Sequence, residues 1–529
     1  MSASRRSQVT GIALGIALSV GPAVLTALAK NWYVAPCDNP PCGDGSLANP
    51  WDLQTALNPN LQPPPPGRVQ AGDTVWLLGG TYNGNYESFL EGDPDKPIIV
   101  RSIGDGAAKI DGGSYNEPGG AILRVLRGYT WFWGIQVMSS STDRTSVYQV
   151  SQIPPDIGTT VGIRTPAVPN NLLPGLKFIN MVIHDTAEGF FMLVDAEGVE
   201  FYGNIIYYNG WHAPDRGHGY GIYVKYYLPS ATLPVIVKDN IVLAHYGMGI
   251  VGSPDTAGYV LNDMTCEGNI VFYNGVLNYE ADHEEGFEKN FTIGDSRVYP
   301  VRPKLINNYT YFAPDNEAAR RSPGNNRLGY TSSCTHATVT GNYFVTPYRV
   351  WDPPYPCAGR SFQFQGTDLN AIANNIFYGR TSNDPNDVDL LAAWRSGYGN
   401  IFYDCACWPP PCSGPLPTGV EVFVRPNEYE GKRGHVAVYN WDDVNDVLVD
   451  VSEILSPGDL YHVVDPQNYF GPPVASGTYL GGSILMPMTS TATATSSAGF
   501  TPQHTSKQFG AFVVKRVFYQ QEGPERGGP

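Results

Sequence analysis

With 59 glycines, 45 prolines and 33 tyrosines in 529 residues, and no long stretch of 3.6-residue apolar periodicity, the chain excludes a helical protein and reads as all-β. A formal net charge of −16 excludes nucleic acid as a partner, because phosphate binding needs a basic face. The same charge favours a neutral glycan over a polyuronate unless calcium or a local basic cleft screens the repulsion.

The first 29 residues join Arg5-Arg6 to an apolar run from Ile12 to Ala29 that ends in the small-residue box Ala27-Leu28-Ala29. That order is a secretory signal cut after Ala29, with an uncleaved membrane anchor as the competing reading. Ser4-Arg5-Arg6 partly resembles a twin-arginine signal, although Gln8 stands where that motif takes an apolar residue. No other segment is apolar over a spanning length, so a secreted or cell-surface location is expected. The eight cysteines agree with export. Cys37 and Cys42 enclose a short loop, Cys334 and Cys357 suit neighbouring turns, and Cys405, Cys407 and Cys412 crowd a proline run. Cys266 is then the odd one, and a metal reading of Cys405-Ala406-Cys407 competes with disulfides.

Through the middle of the chain one short motif recurs. Gly203-Asn204-Ile205-Ile206-Tyr207 returns as Asp239-Asn240-Ile241-Val242-Leu243, as Gly268-Asn269-Ile270-Val271-Phe272, and four more times up to Gly399-Asn400-Ile401-Phe402-Tyr403. The asparagines at 204, 240, 269, 308, 342, 375 and 400 follow one another at 36, 29, 39, 34, 33 and 25 residues. A constant strand with a variable period means a fixed structural step with loops of different length inserted. An earlier step starts at Asn180. Stacked asparagines at a bend hydrogen-bond up and down a ladder and tolerate the left-handed backbone of a tight corner, which makes a right-handed parallel β-helix the expected fold.

Asn49-Pro50-Trp51-Asp52-Leu53-Gln54-Thr55-Ala56-Leu57 and Ala71-Gly72-Asp73-Thr74-Val75-Trp76-Leu77-Leu78-Gly79-Gly80-Thr81-Tyr82 resemble the opening of secreted right-handed β-helix proteins. In such proteins a first strand and a short helix plug the solenoid end. The resemblance spans roughly residues 31 to 405 and takes in polysaccharide lyases, glycoside hydrolases, epimerases and non-catalytic surface proteins. It implies an extracellular polysaccharide as partner.

Beyond it, Cys405 to Pro415 reads as a linker. Seven strand signals follow between Val420 and Val517, suggesting a small antiparallel sandwich, and the Thr/Ser/Ala tract Thr489–Ser497 reads as a flexible loop or glycosylated spot. The expected domains are 1–29 signal peptide, 30–404 β-helix with N-terminal cap, 405–418 Pro/Cys-rich linker and 419–529 β-sandwich, in a monomer.

Chemistry is expected near Trp211-His212 and the stretch Asp215 to Lys225. His218, Asp215, Arg216 and Lys225 are the candidate catalytic groups, and Trp211, His212, Tyr220 and Tyr223 the candidate substrate-binding ones. Glycines at 217, 219 and 221 either open a cleft for a ligand or fit a tight corner. Gly217-His218-Gly219 resembles the Gly-His-Gly of polygalacturonase-type hydrolases, but the adjacent Asp-Asp and downstream Arg-x-Lys of that family have no counterpart. Asp282, Glu284 and Glu285 form an acidic cluster able to take Ca²⁺, against the alternative of a solvated loop. Two functions stand side by side: a lyase or hydrolase acting on extracellular polysaccharide, and a non-catalytic glycan-binding surface protein.

Overall fold

The computed structural model describes residues 29–517 except 116, 118, 151, 167–172, 193–197, 226–232, 254–260, 278–288, 295–299, 313–325, 330–333, 347–359, 365–368, 384–397 and 404–415. The signal segment, Cys357, Cys405, Cys407, Cys412 and the acidic cluster Asp282, Glu284 and Glu285 therefore lie outside the described residues.

Each coil gives one short strand to each of three parallel sheets. Lys177–Ile179 enters the first sheet, Val182–His184 the second and Glu188–Met192 the third; the next coil supplies Glu200–Tyr202, Ile205–Tyr207 and Tyr220–Val224. Among the described residues the sheets reach eleven, eleven and ten strands. A strand that returns to the same sheet in parallel does so with a right-handed crossover, so the chain is a right-handed parallel β-helix. Inside, register stacks like on like: Val75, Val100, Phe132, Phe178 and Phe201 form one column, one residue per coil, each fully buried. At the N-terminal end Trp32 stacks on Trp51 at 4.7 Å, and the helix Leu53–Leu57, capped by Asp52, buries its apolar side against the first coils.

The corner between first and second sheets holds the asparagine ladder. Asn204 Nδ2 donates to Asn240 Oδ1 at 2.8 Å, and the same contact repeats at 2.9 Å from Asn240 through to Asn400. Each Oδ1 also accepts the backbone N–H of the preceding ladder residue, as Asn269 does from Asn240 at 3.0 Å. The left-handed backbone lies one residue earlier than the sequence suggests. Asn180, Gly203, Asp239, Gly268, Asn307, Gly341, Asn374 and Gly399 have φ between 50° and 70°, which is why that column holds only Gly, Asn and Asp. Asn180 belongs to this column, not to the ladder: Met181 takes the ladder position, and its N–H donates to Asn204 Oδ1.

A five-stranded and a two-stranded antiparallel sheet, between Val420 and Arg516, form the C-terminal unit that the sequence leads one to expect as a sandwich. It lies against the outer face of the second sheet. Tyr343 stacks on Tyr439 at 4.0 Å, Tyr309 on Phe423 at 4.4 Å and Tyr311 on Phe509 at 4.6 Å, so the tyrosines that follow the ladder asparagines are buried beneath it. One correction follows. The tract Thr489–Ser497, expected as a flexible loop or glycosylated spot, is docked and not a free loop: Tyr208 donates to the Ala494 carbonyl, while the Ser497 N–H and hydroxyl both donate to Asp185. The physical reason is that the second sheet's outer face is aromatic and needs cover.

Charges lock this interface. Asp105 Oδ2 accepts from Tyr469 at 2.5 Å, Lys515 at 2.8 Å and Arg433 at 2.9 Å. Burial alone would raise its pKa, but the two cations outweigh it and hold it well below the usual carboxylate range. Cys37 and Cys42 are disulfide-bonded, and Cys266 is a buried thiol in the coil's core.

Two outcomes are expected. Asn269→Ala orphans donors and acceptors on two neighbouring coils, so denaturation should show a loss of about 3 kcal/mol, against about 1 kcal/mol for Asn400→Ala at the ladder's half-exposed end; equal losses would mean the ladder does not lock the coil. Asp105→Asn leaves Arg433 and Lys515 buried without their counter-charge and should cost about 3–5 kcal/mol, read as faster proteolytic release of the sandwich.

Candidate active site

A second repeat runs through the third sheet. Val161-Gly162-Ile163-Arg164, Glu188-Gly189-Phe190-Phe191, Tyr220-Gly221-Ile222-Tyr223 and Met248-Gly249-Ile250-Val251 lie coil upon coil in register. The third residue of each points into the core. The glycine sits where the strand presses on the corner: a Cβ at Gly189 would fall 2.4 Å from the Gly221 carbonyl oxygen, and one at Gly221 2.5 Å from His245 Nε2 and 2.8 Å from the Gly249 carbonyl oxygen. The first and fourth residues face outward, making two external columns.

Across those four strands the two columns contain one acid, Glu188, among apolar and aromatic residues and Arg164. Glu188 is 9 % exposed, and no hydrogen bond to its carboxylate occurs among the described residues. Burial pushes its pKa up to about 7, against the pull of Arg164 and Lys225. Both cations lie over the ring of Phe191, the Arg164 guanidinium at 5.0 Å and the Lys225 ammonium at 5.8 Å. Phe191 in turn meets Tyr223 at 5.2 Å, and Tyr223 meets Tyr220 edge-on at 4.8 Å. Arg124 stands one coil before Arg164 and pairs with Glu87 at 2.6 Å. The result is a basic and aromatic stripe containing a carboxyl group that titrates near neutrality.

The residues expected from the sequence divide between this stripe and a separate hairpin. Lys225, Tyr220 and Tyr223 belong to the stripe. Trp211, His212, Asp215, Arg216 and His218 belong to a hairpin inserted at the corner between second and third sheets, with Trp211–His212 antiparallel to Gly217–His218. There His218 is 4 % exposed, stacks on Trp211 at 5.1 Å and meets Asp215 Oδ1 at 3.1 Å. Burial lowers the His218 pKa, and Asp215 only partly offsets this. Trp211 is 1 % exposed, packed among Ile157, Ala187 and Ala213, so its ring faces are taken. His212 N–H donates to the Arg144 carbonyl at 2.8 Å. The space a Cβ would need at Gly219 is filled by Ala187 and Gly210 backbone. The glycines at 219 and 221 thus serve close packing of chain on chain.

His218 lies on the hairpin strand Gly217–His218, whereas Lys225 follows the third-sheet strand Tyr220–Val224, with Gly219 at φ 91° between the two. Glu188 and Arg164 were missed by the sequence reading. No three His, Cys, Asp or Glu side chains converge to hold a metal among the described residues, and no described helix is long and apolar enough to cross a membrane.

No family model matches the chain, and no curated protein sequence does. Among solved structures it is similar to a pectate lyase, over 70 % of this chain and 85 % of that one, at 15 % identity and a TM-score of 0.37. It is also similar to an alginate lyase from Paenibacillus sp., over 70 % and 97 %, at 16 % and 0.35. A glycoside hydrolase aligns over 71 % and 96 %, at 10 % and 0.44.

Because Glu188 holds a proton in the folded state that the unfolded chain releases between its ordinary pKa of 4.5 and about 7, stability falls as pH rises through that window. Glu188→Gln removes this dependence. Its melting temperature relative to wild type should be level near about pH 4 and a few degrees higher near about pH 8; a constant offset would mean that Glu188 titrates normally.

Proposed function

We propose that the outer face of the third sheet is the groove of a secreted enzyme that cleaves an acidic polysaccharide by β-elimination. The observation that carries this reading is the meeting of Glu188, Arg164 and Lys225 at the Phe191 ring. A net charge of −16 favours a neutral glycan only as an average over the chain; Arg124, Arg164 and Lys225 on one face supply the local basic cleft that a uronate needs. The Cys37–Cys42 disulfide suits an exported chain.

In this reading the planar fork of Arg164 takes the uronate carboxylate, which makes the hydrogen at C5 more acidic. The Glu188 carboxylate removes that proton, and the C5–H electron pair becomes the C4=C5 double bond. The C4–O bond breaks, and the departing oxygen takes a proton from the Lys225 ammonium. Phe191 and Tyr223 offer the sugar an apolar surface. A hydrolase would want a second carboxyl group about 5–9.5 Å from the first, whereas the charged groups that act on Glu188 are cations. A second reading, favoured by the 3.1 Å contact between His218 and Asp215, places acid–base work in the hairpin with Arg216.

The test is incubation with polygalacturonate and with alginate, following the absorbance of unsaturated uronate. Glu188→Gln should lower the rate by about 10²–10⁴-fold, and the wild-type rate should rise with pH through about 7 as Glu188 ionises. Loss of activity in His218→Ala with an intact Glu188→Gln would move the chemistry to the hairpin. Binding of both polymers with no cleavage would make the coil a glycan-binding surface.

A further inference from the structure

The outer face of the first sheet carries an arrangement that packing alone does not require. Trp76, Arg101 and Trp133 occupy one external column on three successive coils. The Arg101 guanidinium carbon lies 4.8 Å from the Trp76 ring and 4.4 Å from the Trp133 ring, so indoles cover both of its faces. The slot is braced at each end: Trp76 Nε1 donates to Asn31 Oδ1 at 2.9 Å, and Tyr429 of the sandwich meets Trp133 edge-on at 6.0 Å. All three slot residues are half-buried, with an open side toward solvent.

What remains of Arg101 is its edge. No side-chain hydrogen bond to it occurs among the described residues, and Nε is buried without a partner. Glu430 acts on it only through its charge at longer range. The four Nη donors are therefore held in one plane between two rings. The buried Nε lacks the carbonyl or carboxylate partner that buried polar groups usually have.

We propose that Arg101 is an accessory binding site for a carboxylate-bearing sugar, distinct from the Glu188 stripe, that holds an acidic polysaccharide against the coil. A planar carboxylate lies in the plane of the guanidinium and accepts two parallel N–H bonds, while the indole edges meet the C–H faces of the sugar. The strand Ile98–Ser102 precedes Lys177–Ile179, the first-sheet strand of Glu188's coil, by two rungs, an axial offset of roughly 10 Å. The site uses the reading of the third sheet only for the choice of polymer; its recognition chemistry stands apart from cleavage.

The experiment measures binding in the Glu188→Gln protein, by calorimetry and affinity electrophoresis, with polygalacturonate, carboxyl-reduced polygalacturonate and dextran sulfate. The expected result is binding of the carboxylate polymer alone, weakened about tenfold by adding Arg101→Gln, with Arg101→Lys intermediate. Equal binding of the carboxyl-reduced polymer by the Arg101-containing protein overturns the proposal whether or not the Arg101 variants fold. So does preference for the sulfated polymer, or unchanged affinity in a folded Arg101→Gln protein. Failure of the β-elimination reading appears separately, as absent cleavage by wild type with this binding intact.

Discussion

The structure depends on how a backbone can turn sharply in a buried corner without stranding its polar groups. Between the first and second sheets the chain does so with a left-handed residue followed by an asparagine whose amide accepts from the coil before and donates to the coil after. Each buried amide group left without a partner would cost about 1–3 kcal/mol. The ladder therefore fixes the rise from coil to coil. Because a one-residue slip would turn each core column outward, it also fixes which side chains face solvent.

That registration makes a site possible on so repetitive a frame. Four successive strands of the third sheet repeat a glycine, drawing the strand so close to the corner that neighbouring carbonyls fill the space of a Cβ. Outward columns at the neighbouring positions become nearly continuous surfaces, one residue per coil. A carboxyl group placed there among Val161, Tyr220 and Phe191 loses water on every side. Its neighbouring cations reach it across an aromatic ring and do not bond to it directly, so desolvation prevails and the proton is held to near neutrality. The sandwich covers the second sheet and reaches onto the first, where Tyr429 meets Lys177 and Glu200 and Glu428 meets Lys238.

Much of the fold was legible because the ladder asparagines sit in a motif that survives loop insertion. Antiparallel strands beyond the coil were legible too, as strand signals separated by turn residues such as Ser456-Pro457-Gly458-Asp459. The site was legible only in part. The glycines around His218 suggested either a cleft or a tight corner; Gly219 packs against the backbone of Ala187 and Gly210. The more useful signal was the recurring Xaa-Gly-apolar-Xaa of the third sheet, in which Glu188 is the one acid among Val161, Tyr220 and Met248. It is faint, four residues long and spread over irregular intervals, and only the register shows that its first and last positions face outward. Packing of the sandwich onto the coil had no local signature, since its contacts join Asp105 to Arg433 and Asp239 to Arg425 across hundreds of residues.

The most direct measurement is an infrared difference titration of the carboxyl bands, wild type minus Glu188→Gln. If coil geometry buries this carboxyl group between cations it does not bond to, the difference band should titrate at about pH 7. A midpoint near the ordinary 4.5 would show a solvated glutamate, and the account of the third sheet as a site would not stand.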